Sequence, residues 1–411
     1  MKKTICLVTN WYPTKDNPIM GSFFKDQVFA LEKFFNFIVF RYQERIKWYP
    51  FFSRQLSRVN KERNSIEYSA IVYIPAGVYL WDLIYSYLFK RLHKEKTIEG
   101  VGHYNSRLKK KITKRNINKL FSKTKIEVDA FYCIDGQKEA FNTYCLASKY
   151  NKPYVVGEHA PVPWPGTVLC DSNKYSFEKA NVFFAISNDK IRQLMLLNVK
   201  LPPTVYIGNL IDEKKFTINR TENNKKKTFV IVAAHSYYKN YNMFIDVFNR
   251  LYEIVKEDFH VLIVGYAANK GYSKNIEKFE NEIKKSKFAD KTELIPEISH
   301  DKMNGIYNSA DAFVMTSIQE GQPVSALEAA CCGLPIFSTK CGGVEDYVDD
   351  ENGMLFELTD IEGMARGLKM FIDNKIEYNP YKIRRKVVNR FGEKNFCEVF
   401  YNTFNNIMKY N

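Results

Sequence analysis

Two carboxylates stand eight positions apart in Glu320-Gly321-Gln322-Pro323-Val324-Ser325-Ala326-Leu327-Glu328, with a glycine and a proline between them. The apolar run Asp311 to Thr316 before them reads as a short strand. Pro323 suits the first turn of a helix and Gly333 its stop. A strand–loop–helix unit of this kind sets Glu320 on a loop at the strand's carboxyl end and Glu328 on the second helical turn. Between them the helix opens with the free backbone N–H groups of Val324 and Ser325 and the positive end of its dipole, which suit an anion such as a diphosphate. Glu328 would repel phosphate but accepts hydrogen bonds from sugar hydroxyls, as acidic residues do for nucleotide riboses. The competing reading is two solvated surface carboxylates.

A second group lies upstream. Thr228 to Ala233 reads as a strand, and the loop Ala234-His235-Ser236-Tyr237-Tyr238-Lys239-Asn240 follows it with two cationic candidates, His235 and Lys239. A cation there would neutralise diphosphate charge as a sugar–phosphate bond breaks; lysine does this as a compact point charge. By itself Lys239 would read as a solvated loop residue. Gly21 would let backbone approach phosphates closely or make an ordinary turn. His159, after the strand Tyr154 to Val156, is either a ligand contact or a hydrogen-bonded structural histidine. Asn209 and Asp212 read as turn residues.

The elements that must position these groups come in two series. In the first half the strands are Thr4–Val8, Phe37–Phe40, Ala70–Ile74, Ala130–Cys133, Tyr154–Val156, Val182–Ile186 and Val205–Ile207. In the second they are Thr228–Ala233, Phe259–Val264, Glu293–Ile295, Ala312–Met315, Pro335–Ser338 and Met354–Phe356, with helices such as Tyr241–Val255 between. Alternation of this sort predicts an α/β protein with two parallel, doubly wound, Rossmann-like sheets. The seam falls in the polar stretch from Asp212 to Lys227. The domains read as 1–212, 213–385 and a terminal helix over 386–411. Ligands of such sheets bind at strand carboxyl ends, in the cleft between the domains.

A chain of 411 residues fits two domains better than one core. Its eight cysteines form no C-x2-C pair and no histidine stands at zinc spacing, so reduced, mostly buried thiols and no metal are expected. Met1 to Val8 reads as a first strand rather than a leader, which predicts a cytoplasmic protein. The longest apolar stretch, Ile71 to Phe89, is broken by Pro75, Gly77, Asp82 and Ser86, too interrupted for the roughly 20 residues a spanning helix needs.

The net charge is +15, and its excess is concentrated: Lys90 to Lys125 holds thirteen Lys or Arg against Glu95 and Glu99. An aromatic-rich helix over Val78 to Phe89 runs into it. Together, Val78 to Lys125 is what an anchor on an anionic membrane surface requires. The alternative packs Tyr79, Leu80, Leu83, Ile84 and Leu88 on the first sheet and leaves the lysines solvated. Nucleic acid is not expected, because no recognised motif accompanies the charge.

The stretch from Glu320 to Glu328 resembles the E-x7-E signature of retaining glycosyltransferase family 4, enzymes of the two-domain GT-B build that use nucleotide-sugar donors. Met20 to Phe24 after Pro18 resembles the family's glycine loop, and Glu158-His159 its strand-end histidine. Asn209 to Asp212 is similar to its NxxD entry, Lys239 to its clamp lysine, and Cys341 to Glu345 to its GG turn. Residues 42–125 match nothing in that pattern.

The resemblance implies a metal-independent transfer of sugar from a nucleoside diphosphate to an acceptor hydroxyl with retention, and a terminal helix that crosses back to the first domain. It gives catalytic roles to Glu320, His159 and Lys239, with Glu320 and His159 at the donor sugar. Donor binding falls to Gly21, His235, Lys239, Gly321, Val324, Ser325 and Glu328. The acceptor it suggests is a glycan, lipid-linked as in bacterial surface-polysaccharide or glycolipid assembly, which would place the protein at the inner face of the membrane. This chain departs from the pattern at His235, where the family has arginine, at Asn240, where it has glycine, and after Gly265, where a second glycine is replaced. Only the protonated His235 ring adds charge, so diphosphate affinity is expected to weaken as pH rises through its titration. A sugar-nucleotide epimerase or hydrolase of the same build, and a non-enzymatic basic membrane- or nucleic-acid-binding protein, are the alternative functions.

Overall fold

The computed structural model describes residues 2–14, 21–48, 51–62, 65–93, 107–160, 169, 171–220, 226–268 and 273–409. Pro18, Met20, Lys94, Lys96 and Cys170 lie outside them. The chain divides into two compact units, Met1–Gly208 with Cys397–Asn411, and Asn209–Phe396.

The first unit is built on β1 (Thr4–Val8), α1 (Ser22–Leu31), β2 (Asn36–Lys47), β3 (Ser53–Glu62), β4 (Ser65–Pro75), α2 (Ala76–His93) and α3 (Arg107–Ser122). It continues through β5 (Ala130–Cys133), α4 (Gly136–Tyr150), β6 (Tyr154–Glu158), α5 (Asp171–Glu178), β7 (Val182–Ala185), α6 (Asn188–Leu196) and β8 (Thr204–Tyr206). Its sheet runs β3-β4-β2-β1-β5-β6-β7-β8. Thr4–Val8 and Ala130–Cys133, in the middle of the sheet, are short and mostly apolar, as strands covered by helices on both faces must be.

β3 corrects the all-parallel expectation. It pairs antiparallel with β4 at the sheet edge. Its sequence, SRQLSRVNKE, carries too little apolar signal to read as a strand, and its charged side chains suit an exposed edge.

The second unit holds β9 (Lys227–Val232), α7 (Tyr241–Ile254), β10 (Phe259–Val264), α8 (Ser273–Lys285), β11 (Thr292–Ile295), α9 (Met303–Asn308) and β12 (Ala312–Met315). Then come α10 (Val324–Cys331), β13 (Ile336–Thr339), β14 (Gly353–Phe356), α11 (Ile361–Ile372) and α12 (Pro380–Phe391). The sheet order β11-β10-β9-β12-β13-β14, all parallel, is the doubly wound order with its reversal between β9 and β12. Phe244, Val247, Phe248 and Leu251 of α7 pack with Phe229, Val261 and Phe259 in its core.

The terminal helix expected over 386–411 is instead α13 (Glu393–Lys409), preceded by a separate α12. α12 ends at Gly392, whose extended ψ of 168° breaks the run, and α13 starts anew. From Cys397 on, α13 belongs to the first unit: Phe400 and Phe404 pack on Phe35, Tyr132 and Phe184. Aromatic residues at i and i+4 on one helical face supply that seam.

Candidate active site

In a doubly wound sheet the loops at the carboxyl ends of the two strands flanking the order reversal splay apart and leave a crevice. In the second unit those strands are β9 and β12, and their loops carry His235 with Lys239, and Glu320. This topology brings together residues 81 positions apart: Lys239 Nζ donates to Glu320 Oε1 at 2.6 Å. Ser317 Oγ donates to the same oxygen at 2.7 Å. The Glu320 side chain is 14% exposed and that of Lys239 26%, so neither is a freely solvated surface group.

The loop holding Glu320 is fixed along its length. Ile318 N–H donates to Tyr238 O and Glu320 N–H to Cys341 O, both at 2.7 Å. Thr316 Oγ1 reaches the carbonyls of Lys239 and Asn240. Asn209 Nδ2 donates to Gln322 O at 2.9 Å while its N–H donates to Gln322 Oε1. Asn209, read as a turn residue, thus ties down the segment between the two carboxylates. Asp212 does act as a turn residue, accepting from Lys214 and Lys215 N–H at 3.1 Å. Gly343 has to be glycine, since a Cβ there would lie 2.0 Å from Gly321 O.

α10 begins at Val324, with Pro323 outside it as the cap rather than within its first turn, and no side chain caps it. Its leading N–H groups, at Val324 and Ser325, point out of the helix end beside the Glu320 loop. Gly333, with φ +78°, stops the helix as its sequence position predicts.

Glu328 is not a solvated carboxylate either, at 10% side-chain exposure. Its Oε1 lies 2.8 Å from His300 Nε2, and its Oε2 accepts from Tyr307 Oη at 2.9 Å. Lys215 Nζ stands 2.8 Å from His300 Nδ1. An ammonium has no acceptor, so the network assigns Nδ1 as acceptor and puts the ring hydrogen on Nε2, donated to Glu328. Burial, and the carboxylate beside it, push the Tyr307 phenol well above its ordinary value, which keeps it a donor.

His235 lies away from the Lys239–Glu320 pair in kind. Its ring stacks on Tyr241 at 5.4 Å and meets Phe279 edge-on at 5.8 Å. Burial lowers its pKa below the ordinary imidazole value, with Glu282 opposing weakly. The charge anticipated from this ring therefore appears only at acidic pH. Asn240, in the family's glycine position, has φ +48° and caps α7, accepting from Met243 N–H; asparagine tolerates that left-handed region.

In the first unit, Gly21 precedes the helix whose first turn packs on His159. Gly21 takes φ +69° at the start of α1, where a Cβ would meet Trp11 O at 2.4 Å. Two residues on, Phe23 and Phe24 hold the His159 ring, Phe24 edge-on at 4.8 Å. Next to them is a buried polar cluster that sequence reasoning missed. Glu158 accepts from Gln137 and Ala160 N–H at 2.8 and 2.7 Å. Asn10 Nδ2 and Asn142 Nδ2 donate to Glu139 at 2.6 and 2.8 Å. Burial pushes Glu139 up to about 8 and Glu158 up to about 7, the latter against the pull of Lys190, which burial lowers to about 8. The sheet order assembles this cluster, from the loop after β1, the N-terminal half of α4 and the end of β6.

No group of three or more metal-ligating side chains occurs among the described residues. No described helix is long and apolar enough to cross a membrane.

Residues 212–390 match the family model Glycosyl transferases group 1. A glycosyltransferase of Haemophilus influenzae, itself uncharacterized, is 25% identical over 263 residues, covering 61% of this chain and 68% of its own length. The UDP-Gal:alpha-D-GlcNAc-diphosphoundecaprenol alpha-1,3-galactosyltransferase of Escherichia coli is 35% identical over 89 residues, 21% of this chain and 23% of that one. Among solved structures, an alpha,alpha-trehalose-phosphate synthase (UDP-forming) from Burkholderia xenovorans superposes with TM-score 0.70 at 12% identity, over 99% of this chain and 100% of that one. The fold is therefore the GT-B fold, and the span matched by the glycosyl transferases group 1 model lies within the second unit.

Proposed function

We propose that this chain is a glycosyltransferase that moves a sugar from a nucleoside diphosphate to an acceptor hydroxyl with retention. The observation that carries the reading is the Lys239–Glu320 pair set beside the uncapped start of α10, at the switch point of a group 1 domain. Lys239 and the Val324 and Ser325 N–H groups take the diphosphate, with Gly321 and, when protonated, His235 contributing to donor binding, and Glu328 takes the ribose. Glu320 positions the donor sugar and favours positive charge developing at its anomeric carbon. Because fixed protein groups supply the positive charge, no metal is required, and activity should survive EDTA. A thermal-shift panel of UDP, GDP, ADP and their sugars tests donor binding. Glu320→Ala should then abolish transfer with the fold intact; wild-type turnover in that variant refutes the role. Donor consumed equally without acceptor indicates a hydrolase or epimerase instead.

The acceptor we propose is a lipid-linked glycan in surface-polysaccharide or glycolipid assembly. The Escherichia coli relative supports it, since its name gives a diphosphoundecaprenol-linked acceptor. So does the surface of the first unit. Trp48 and Phe51 are 93% and 79% exposed, and Leu80, Trp81 and Leu88 of α2 are half exposed or more. Strand register sets Lys47 opposite Pro75 and Ser53 opposite Tyr73, which places Trp48 and Phe51 beside the start of α2. α2 packs on α3, which exposes Arg107, Lys111, Lys114 and Arg115 and contains no acidic residue. Lys109 is excluded from that face, being buried against Glu44. Apolar groups beside unpaired positive charge fit the cytoplasmic face of an anionic bilayer.

A further inference from the structure

Glu328 is held at both oxygens by residues that no sequence motif marks. Tyr307 is fully buried on one side, and His300, 37% exposed at its side chain, stands on the other. Phe216 backs both rings, at 5.5 Å from His300 and 5.9 Å from Tyr307. Lys215 in turn holds His300 and reaches Asp301 at 3.0 Å. A glutamate on the second turn of a helix ordinarily rotates about three bonds, and fixing it costs entropy at the moment a ligand binds. Here that ordering is complete within the fold.

We propose that Lys215, His300 and Tyr307 are positioning residues that make Glu328 a clamp for a vicinal diol, and so restrict the donor to ribonucleotides. The proposal rests on the reading of Glu328 as the ribose group.

A carboxylate offers about four lone-pair sites. Tyr307 takes one on Oε2 and His300 one on Oε1, leaving one on each oxygen. Two acceptors side by side at fixed separation match adjacent 2′- and 3′-hydroxyls, each of which donates one hydrogen bond. A 2′-deoxyribose leaves one of those sites buried and unmet, and an unmet charged acceptor is more costly than an absent contact. Discrimination of this kind depends on the carboxylate being unable to turn aside, which is what the two donors prevent. The Lys215–His300 contact fixes the tautomer on which one of them depends.

The test measures Kd of UDP, GDP and ADP by titration calorimetry, then repeats the tightest with its 2′-deoxy counterpart. Wild type should favour the ribonucleotide by tenfold or more. Tyr307→Phe, which removes one oxygen, and His300→Ala should weaken ribonucleotide binding several-fold and leave the deoxy form unchanged, so that the ratio collapses. His300→Gln, which keeps a donor near Nε2, should restore part of it. A structural role alone would weaken both nucleotides together and leave the ratio intact, and that outcome overturns the proposal while donor binding stands. Lys215→Ala, at a side chain that is partly exposed and does not touch the Glu328 carboxylate directly, covers the case in which Tyr307→Phe does not fold. Failure of wild type to bind any of the three nucleotides removes the donor reading itself.

Discussion

Lys239 Nζ and Glu320 Oε1 meet at 2.6 Å although 81 residues separate them, joining the loops after β9 and β12 on either side of the sheet's order reversal. Under the proposed transfer the two groups serve opposite ends of the breaking sugar–phosphate bond. Lys239→Met should reduce transfer by about 10²-fold or more. The double variant with Glu320→Gln should lose less than the sum of the two in free energy, because the groups are in contact. Initial rates of nucleoside diphosphate release with donor and acceptor check this; additive losses contradict it.

Gly343 is the tightest backbone approach at the site. Gly343→Ala puts a methyl group on Gly321 O and should destabilise the protein by about 1–3 kcal/mol while abolishing the thermal shift given by nucleoside diphosphates. Gly305→Ala in α9 is the control: nothing lies within 4 Å of its added Cβ, and helix propensity favours alanine.

His235 sets a pH window. Its folded pKa lies below the ordinary 6.5, so the ring is neutral from pH 7 to 8 and contributes no change in diphosphate affinity there. Any His235-linked strengthening appears only in more acidic solution and is absent in His235→Gln. Affinity from calorimetry between pH 5.5 and 8 decides it. The same depressed pKa works against stability in acid: the unfolded ring takes a proton first, so this contribution is lost as pH falls.

Glu139 has the opposite sign. Its folded pKa of about 8 lies above the ordinary glutamate value of 4.5, so the folded state binds the proton more tightly. The resulting stabilisation is fully present below pH 4.5 and is lost as pH rises through about 8. Glu139→Gln should therefore become progressively less destabilised relative to wild type between pH 5 and 8, read as the difference in Tm. A difference independent of pH contradicts it.

The exposed face of the first unit should bind vesicles containing phosphatidylglycerol and not neutral phosphatidylcholine vesicles, with binding weakened by salt. Trp48→Ala with Trp81→Ala should reduce co-sedimentation several-fold without altering nucleotide-induced thermal shifts. Salt-insensitive binding, or equal binding to neutral vesicles, excludes the anionic surface.

Much was legible from residue order. Short apolar runs separated by amphipathic stretches predict a strand–helix alternation, and thirteen of the fourteen strands among the described residues carry that signal. Gly333 and the helix start near Pro323 are visible because backbone conformation there is a local property. β3 escaped because an edge strand buries little and its residues need not be apolar. The Gly392 break escaped because the apolar period continues across it into Phe396, Phe400 and Phe404.

What the chain determines alone is which groups sit on which loop: Glu320 after one strand, Lys239 after another, Glu328 one turn into a helix. Which of them touch is decided by strand order, a long-range outcome of packing two hydrophobic faces. That order joins Lys239 to Glu320. Packing around Glu328 brings His300 and Tyr307 to its oxygens, and burial takes His235 out of the charged form. Contacts between side chains dozens of residues apart, and the loss of solvent that shifts a pKa, exist only once the sheet has closed over its core.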